Sequence, residues 1–264
     1  MPDEATLIDA HVHLRNVHDP AAVLDGAVAH FDTLAARLGA KRGSRVLMLS
    51  ESADEHGFER LAAADKPVGR WIFNETGEPT SLACERDDER SVLLIQGQQI
   101  ATADGLEVLT LACGTRIDDG QPIRETLQQA LALDALVVLP WGFGKWTGKR
   151  KALMVELTRE FGPMGALLGD SAARPAGFGD GPIFGLAREL GIPVLPGTDP
   201  LPIASHEKRA GKYGMWLRGG LDSRTPAADL RERLSRPLPR DAVIGRRDGL
   251  VGSFITQLRL RLGR

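Results

Sequence analysis

Short apolar runs alternate along the chain with longer stretches whose apolar residues recur at helical spacing, the pattern of β/α units. The runs at residues 7–10, 45–49, 106–112, 136–139, 165–168 and 193–195 predict strands. Between them, residues 21–38 carry Val23, Leu24, Val28, Phe31 and Leu34 at helical spacing, with Asp19-Pro20 as a start signal. Residues 124–133, 150–161 and 183–190 follow the same logic, and Gly191 ends the last of them. Parallel strands joined by crossover helices make a parallel sheet, either closed as a barrel or open and doubly wound. One stretch breaks the alternation: residues 71–103 are polar with short β-like pieces, and predict an antiparallel hairpin insertion. Residues 226–264 predict two closing helices, 227–234 and 250–262, joined by the Pro-rich Arg236-Pro-Leu-Pro-Arg240. The last helix reads as part of the barrel wall in preference to a membrane-docking helix.

Composition narrows the class. At 264 residues with no internal repeat and no Gly-Ser linker, the chain suits one domain over 1–264, and a (β/α) barrel takes about this length. Hydrophobic residues at 42% and charged residues at 26% are those of a globular protein, which sets aside disorder and coiled coil. A net charge of −2 gives no electrostatic footprint for nucleic acid, so no nucleic-acid partner is expected. Cys84 and Cys113 form no CxxC or Cys/His cluster, which excludes a disulfide framework and argues against a finger-type zinc site. The acidic N-terminus shows no signal peptide, and the most apolar segment, 130–144, is interrupted by Asp134 and too short to span a bilayer. A cytoplasmic protein without a membrane partner is the expectation.

The sharpest chemical signal is Ile8-Asp9-Ala10-His11-Val12-His13. Side chains alternate along a strand, so His11 and His13 point the same way while Val12 points into the wall. Two imidazoles at a strand's carboxyl end can bind one divalent ion; a hydrogen-bonded pair of histidines is the plain alternative. Near the other end of the chain, Asp199 lies just past a late strand, placed to ligate the same metal or to act as general base on water. Its plain alternative is an Asp opening a turn with Pro200. Two such sites at strand ends, far apart in sequence, fit a barrel whose first and last strands meet.

At this point the sequence resembles the PHP family, the polymerase-and-histidinol-phosphatase type of metal-dependent phosphoesterase, with a wider kinship to amidohydrolase barrels. IDAHVH resembles its D-x-H-x-H strand, and RVLMLSE at 45–51 its second strand, which ends in T-D-H. GQQIATADGLEVLTLA at 97–112 is similar to its G-x-E-I and G-x-H-V-L stretches. LVVLPWGFG at 136–144 resembles A-H-P-F-G, and GTDPL at 197–201 resembles G-S-D-A-H. The likeness covers residues 6–202. It implies a TIM-type (β/α) barrel, seven- or eight-stranded, regular or distorted. Family ligands carry over to His11, His13 and Asp199 alone. Elsewhere Glu51 and Ser52 stand for the aspartate and histidine of T-D-H, Gln99 for the glutamate of G-x-E and Glu107 for the histidine of G-x-H. Pro140 or Trp141 and Leu201 stand where two further histidines belong. A trinuclear site is therefore broken; a single zinc, manganese or iron on His11, His13 and Asp199, with Glu107 or Glu51 as supplementary carboxylates, is what the resemblance leaves.

Three basic loops suit an anionic small molecule. PWGFGKWTGKR at 140–150 follows a predicted strand and brings Lys145 and Arg150 to a helix start, although the P-loop order is absent. Arg174 follows the next strand and His206 follows Asp199. Trp141 and Trp146 stack on a sugar or base in one reading and cap the core in the other. Two functions are open at this stage: a metal-dependent hydrolase of phosphate esters, and a catalytically silent barrel that binds an anionic ligand or a partner protein.

Overall fold

The computed structural model describes residues 2–177, 179–239 and 241–249. Strand β1 (Ala5–Val12) leads into helix α1 (Pro20–Leu38), β2 (Arg45–Leu49) and the short α2 (Gly57–Ala62). Four strands follow in succession: β3 (Trp71–Glu75), β4 (Ser81–Arg86), β5 (Ser91–Ile95) and β6 (Gly97–Ala101). The rest alternates through β7 (Glu107–Leu111), α3 (Ile123–Leu131), β8 (Leu136–Pro140), α4 (Gly148–Phe161), β9 (Leu167–Ser171), α5 (Gly181–Glu189) and β10 (Val194–Gly197). Strand β11 (Tyr213–Arg218), α6 (Pro226–Leu234) and β12 (Val243–Gly245) complete the described part. Local chemistry explains the boundaries. Asp19 caps α1 by accepting from Ala21 N–H, Pro20 occupies its first turn, and Gly39 ends it in the left-handed conformation at φ 71°.

The strands form two mixed sheets, ordered β12-β11-β1-β2-β5-β4-β3 and β10-β9-β8-β7-β6. This corrects the TIM-barrel expectation. A TIM barrel is one closed ladder of parallel strands; here β1–β11, β3–β4, β4–β5, β6–β7 and β7–β8 are antiparallel, and no continuous ladder joins the sheets. The expected hairpin insertion is corrected as well. Residues 71–103 are woven into both sheets, β5 pairing in parallel with β2 and β6 pairing with β7. The predicted helix at 227–234 is α6, whereas 250–262 lies outside the described residues. Among the described residues no helix is long and apolar enough to cross a membrane.

Alternating side chains build three cores. On β2, Leu47 and Leu49 pack outward with α1, while Val46 and Met48 face inward. On β8, Val137 and Leu139 pack outward with α4 and α5, while Leu136 and Val138 face inward. The inward set from both sheets makes a third core that runs on to α6. The sheets meet along two seams. At one, Glu51 N–H donates to Gly97 O at 3.2 Å and Gln99 N–H to Glu51 O at 2.9 Å. At the other, Asp199 N–H donates to His11 O at 2.8 Å. Both seams need a glycine: a Cβ on Gly97 would lie 2.4 Å from Leu49 O, and one on Gly197 would lie 2.4 Å from His11 N. Side chains from the carboxyl ends of β1, β2, β9 and β10 converge at one rim.

Candidate metal centre

Strand β1 aims its histidines by a slip. Its pairing with β2 shifts register between Asp9 and Val12. Regular alternation would keep Val12 with Ile8 and Ala10 between the sheets; instead Val12 packs outward with Leu7. His11 and His13 are thereby left on the inner side of the strand end, with their Nε2 atoms 3.2 Å apart. Across the seam, Asp199 has left-handed backbone at φ 50°, directly before Pro200. That conformation is unusual before proline, and aspartate tolerates it better than most residues. Buried Asp9 clamps the two ends together. Its carboxylate accepts from Thr198 N–H at 2.8 Å, Thr198 Oγ1 at 2.5 Å, Gly211 N–H at 2.8 Å and His11 N–H at 3.3 Å. Burial pushes Asp9 up to about 7 in spite of these bonds.

The three predicted ligands form one group. His11 Nε2 and His13 Nε2 lie 3.7 and 3.8 Å from Asp199 Oδ1. A point equidistant from three atoms spaced 3.2, 3.7 and 3.8 Å lies about 2.1 Å from each, within the ~2.0–2.2 Å of zinc–nitrogen and zinc–carboxylate bonds. The donor set therefore fits a divalent ion. Both imidazoles are buried, while the Asp199 carboxylate is 18% exposed and forms the open side. Burial lowers His11 to about 4, with His13 and Arg15 adding to it, so its ring is neutral as a ligand must be. Burial opposes the charge on Asp199, but His11, His13, Arg15 and Lys145 outweigh it and hold the carboxyl below its ordinary range.

Residues around the group hold it in place. Glu55 Oε2 lies 3.0 Å from His13 Nδ1, and a carboxylate can only accept, so Nδ1 carries the proton. In the neutral ring Nε2 then presents its lone pair to the centre, the carboxylate–histidine arrangement of many metal sites. Glu55 also takes Ser52 N–H at 2.9 Å and Arg15 Nη1 at 3.0 Å. Burial opposes its charge, yet His13 and Arg15 keep it well below the usual carboxylate range. On the other flank, Gln99 Oε1 lies 3.2 Å from His11 Nε2, and its amide donates to Glu107 Oε1 at 3.3 Å. Lys145 closes this chain with an ion pair to Glu107. Ser171 Oγ reaches Asp199 Oδ2 at 3.5 Å.

The other sequence-predicted residues have different surroundings. Glu51 is buried at the β2 end, where Oε1 accepts from Phe58 N–H at 3.0 Å and Oε2 has no partner among the described residues. Burial pushes it up to about 7, helped by Glu59 and Glu55. It is not part of the His11–His13–Asp199 group, and Glu107 touches that group only through Gln99. Arg150 donates to Gly105 O and Gly144 O. Arg174 is buried in a two-bond pair with Asp170 at 2.6 and 2.8 Å. His206 accepts Leu201 N–H at Nδ1 and is lowered to about 4 by burial and Arg209. Of the four predicted anion-binding residues, only Lys145 joins the network at the centre. The residues that sequence reasoning left out are Asp9 and Arg15, and Glu55 in its contact with His13. Glu55 was readable only as a capping partner of Ser52, and half of that contact is present.

Fold and site together define an α/β protein of two facing mixed sheets with a His–His–carboxylate group at their common rim. No family model matches the sequence, and a search of curated proteins finds no match. Two solved structures share the fold. PsfC from Pseudomonas syringae PB-5123 aligns at TM-score 0.56 and 14% identity, over 97% of this chain and 99% of that one. The novel lesion-specific endonuclease PfuEndoQ from Pyrococcus furiosus aligns at TM-score 0.51 and 13% identity, over 90% of this chain and 57% of that one. A two-domain protein from Bacteroides vulgatus ATCC 8482, described as containing a predicted PHP-like metal-dependent phosphoesterase, aligns at TM-score 0.41 and 16% identity, over 86% and 63%.

Proposed function

We propose that the chain is a divalent-metal-dependent hydrolase of phosphate esters or similar anionic molecules, with one zinc, manganese or iron ion on His11, His13 and Asp199. The observation that carries this reading is the common point about one metal–ligand bond length, ~2.1 Å, from all three donor atoms. The PHP-like motifs support it, and so does the fold shared with an endonuclease. Net charge alone argued against nucleic acid; that neighbour brings nucleotide phosphodiesters back into the substrate class to be tested.

A divalent ion there would supply a Lewis acid and an acidified water. The protein's own groups do the rest. Glu55 fixes the His13 tautomer, and Asp199 keeps Oδ2 on the open side to accept a proton. Gln99 Oε1 faces His11 Nε2, so it holds that ring only while Nε2 is protonated and must give way when Nε2 serves as a ligand. Lys145 gives positive charge at the rim for the ester's anionic oxygens.

One observation favours the silent binding module: Ser52 and Leu201 stand where the family's metal-binding histidines belong. Metal content by inductively coupled plasma mass spectrometry, on protein purified without a His-tag, separates the two. The hydrolase reading expects about one equivalent of metal. That metal should be lost in His11→Ala/His13→Ala, together with metal-dependent cleavage of bis(4-nitrophenyl) phosphate. No metal after reconstitution with each candidate ion would overturn it and leave the binding module.

A further inference from the structure

The chain is poor in aromatic residues, at 5%, yet four of them line one cleft of about 440 Å³ between the 141–148 loop and the start of α5. That volume suits a small molecule. Trp146 packs on Phe184 with ring centroids 5.0 Å apart, and Trp141 meets Phe143 edge-on at 6.4 Å. The tryptophans differ in one respect. Trp71 Nε1 donates to Asp25 and Trp216 Nε1 donates to Asp241 O, whereas neither Trp141 nor Trp146 has an acceptor for its indole N–H among the described residues. Neither N–H is among the buried orphaned atoms, so both reach solvent and are open to a ligand's acceptor.

The α4 side of the cleft is basic, while Asp180 lines the α5 side. The first turn of α4 holds Lys149, Arg150 and Lys151 with no acidic residue, the reverse of what a helix start prefers for its own stability. Lys151 lines the cleft and has no ion pair among the described residues.

Chains of side-chain contacts lead from both walls of the cleft to the metal centre. Lys145, between Gly144 and Trp146 on the wall loop, pairs with Glu107, which leads through Gln99 to His11. On the opposite wall Arg174 follows Ser171, which touches Asp199.

We propose that this cleft holds the planar aromatic ring of the substrate, so that the substrate class is an aromatic phosphate ester of nucleotide type, with its ring on the tryptophans and its phosphate toward the rim. The proposal rests on the hydrolase reading for the fate of the phosphate; the ring site stands on the cleft itself.

Calorimetric titration of the full chain in EDTA tests it, with adenosine 5′-monophosphate, adenosine and ribose 5-phosphate as probes. The two ring-bearing probes should bind, and ribose 5-phosphate should bind about tenfold more weakly or not at all. Trp141→Ala should weaken adenosine 5′-monophosphate about tenfold, while Trp141→Phe keeps most of the affinity and Trp216→Phe leaves it unchanged. Ribose 5-phosphate binding as tightly as the nucleotide, no binding by any probe, or indifference to Trp141→Ala in a folded variant would each overturn the proposal. Should Trp141→Ala fail to fold, the comparison of probes on the wild type decides alone. Metal content of the same preparation, before EDTA and after reconstitution with each candidate ion, keeps the two readings apart. Ring-dependent binding without metal would retain the cleft and remove the hydrolase; metal without ring dependence would do the opposite.

Discussion

His13 serves a metal only if its Nε2 lone pair faces the centre, and the 3.0 Å contact between Glu55 and Nδ1 decides that. Glu55→Gln keeps the size and one acceptor oxygen but removes the charge that holds the tautomer. It should weaken zinc affinity by roughly 10- to 100-fold, read by competition with a chromophoric chelator. Unchanged affinity in a folded variant would show that Glu55 serves only the Ser52 turn and Arg15. The histidines and Asp199 were legible as a group because a two-residue spacing puts both imidazoles on one side and a residue just past a strand tip at the rim; the slip between Asp9 and Val12, which sets the side they face, was not. Glu55 was not, since Ser52 and Glu55 at a spacing of three carry the same signature whether the carboxylate ends on a backbone N–H or on an imidazole. Arg174 shows the opposite failure. A cation at a strand end reads as substrate-binding, but Asp170, four residues earlier, neutralises it with two hydrogen bonds.

Periodicity placed the strands and helices it predicted within a few residues because their faces are cleanly divided, and α1 and β2 match the predicted spans almost residue for residue; it missed β11, which pairs with β1, and β12, where no strand was expected. It misjudged residues 71–103, whose edge strand β3 is mostly exposed, although β4 and β5, the next two strands of the sheet, each bury three positions. Short strands with exposed and charged positions between the buried ones look like an appendage even when two of them lie in the sheet interior. The same stretch also fastens α6. Thr225 gives α6 no side-chain cap, and Glu78, in the β3–β4 turn, accepts from Ala227 N–H and Ala228 N–H in its place. Two helix-start donors thus depend on a residue almost 150 positions away in sequence. Glu78→Ala should lower stability by about 1–2 kcal/mol, the range of a lost helix cap, in urea unfolding. Metal content should not change. A drop below a few tenths of a kcal/mol, as surface substitutions give, would mean that water replaces the cap.

What hydrophobic patterning does not encode is whether facing strands join in one ladder. Strands covered on both faces, as β1 and β8 are, look the same in a closed barrel and in two sheets that lean on each other. The deciding residues are Gly97 and Gly197, which let the sheets approach without a ladder between them. The candidate ligands straddle the second seam, two on β1 and its end and one past β10, so the group stays together only while the seam is closed. A Cβ on Gly197 would lie 2.4 Å from His11 N, 2.5 Å from His11 Cβ and 2.8 Å from His11 Cα. None of these atoms can rotate away, so Gly197→Ala has to push β10 off β1. The Asp199 N–H bond to His11 O and the Thr198 bonds to Asp9 then lengthen, and the Asp199 carboxylate leaves the two imidazoles. Overpacking of this kind costs about 1–3 kcal/mol, and zinc affinity should fall at least about tenfold, since one of three protein ligands moves out of reach. Gly185→Ala in α5 is the matched control. Nothing lies within 4 Å of its added Cβ, and in a helix interior the change is stabilising by about 0.5–1 kcal/mol. Urea unfolding and zinc competition on the pair should therefore move in opposite directions for stability and separate for metal. Wild-type zinc affinity in Gly197→Ala would mean that the seam does not set the spacing of the ligands.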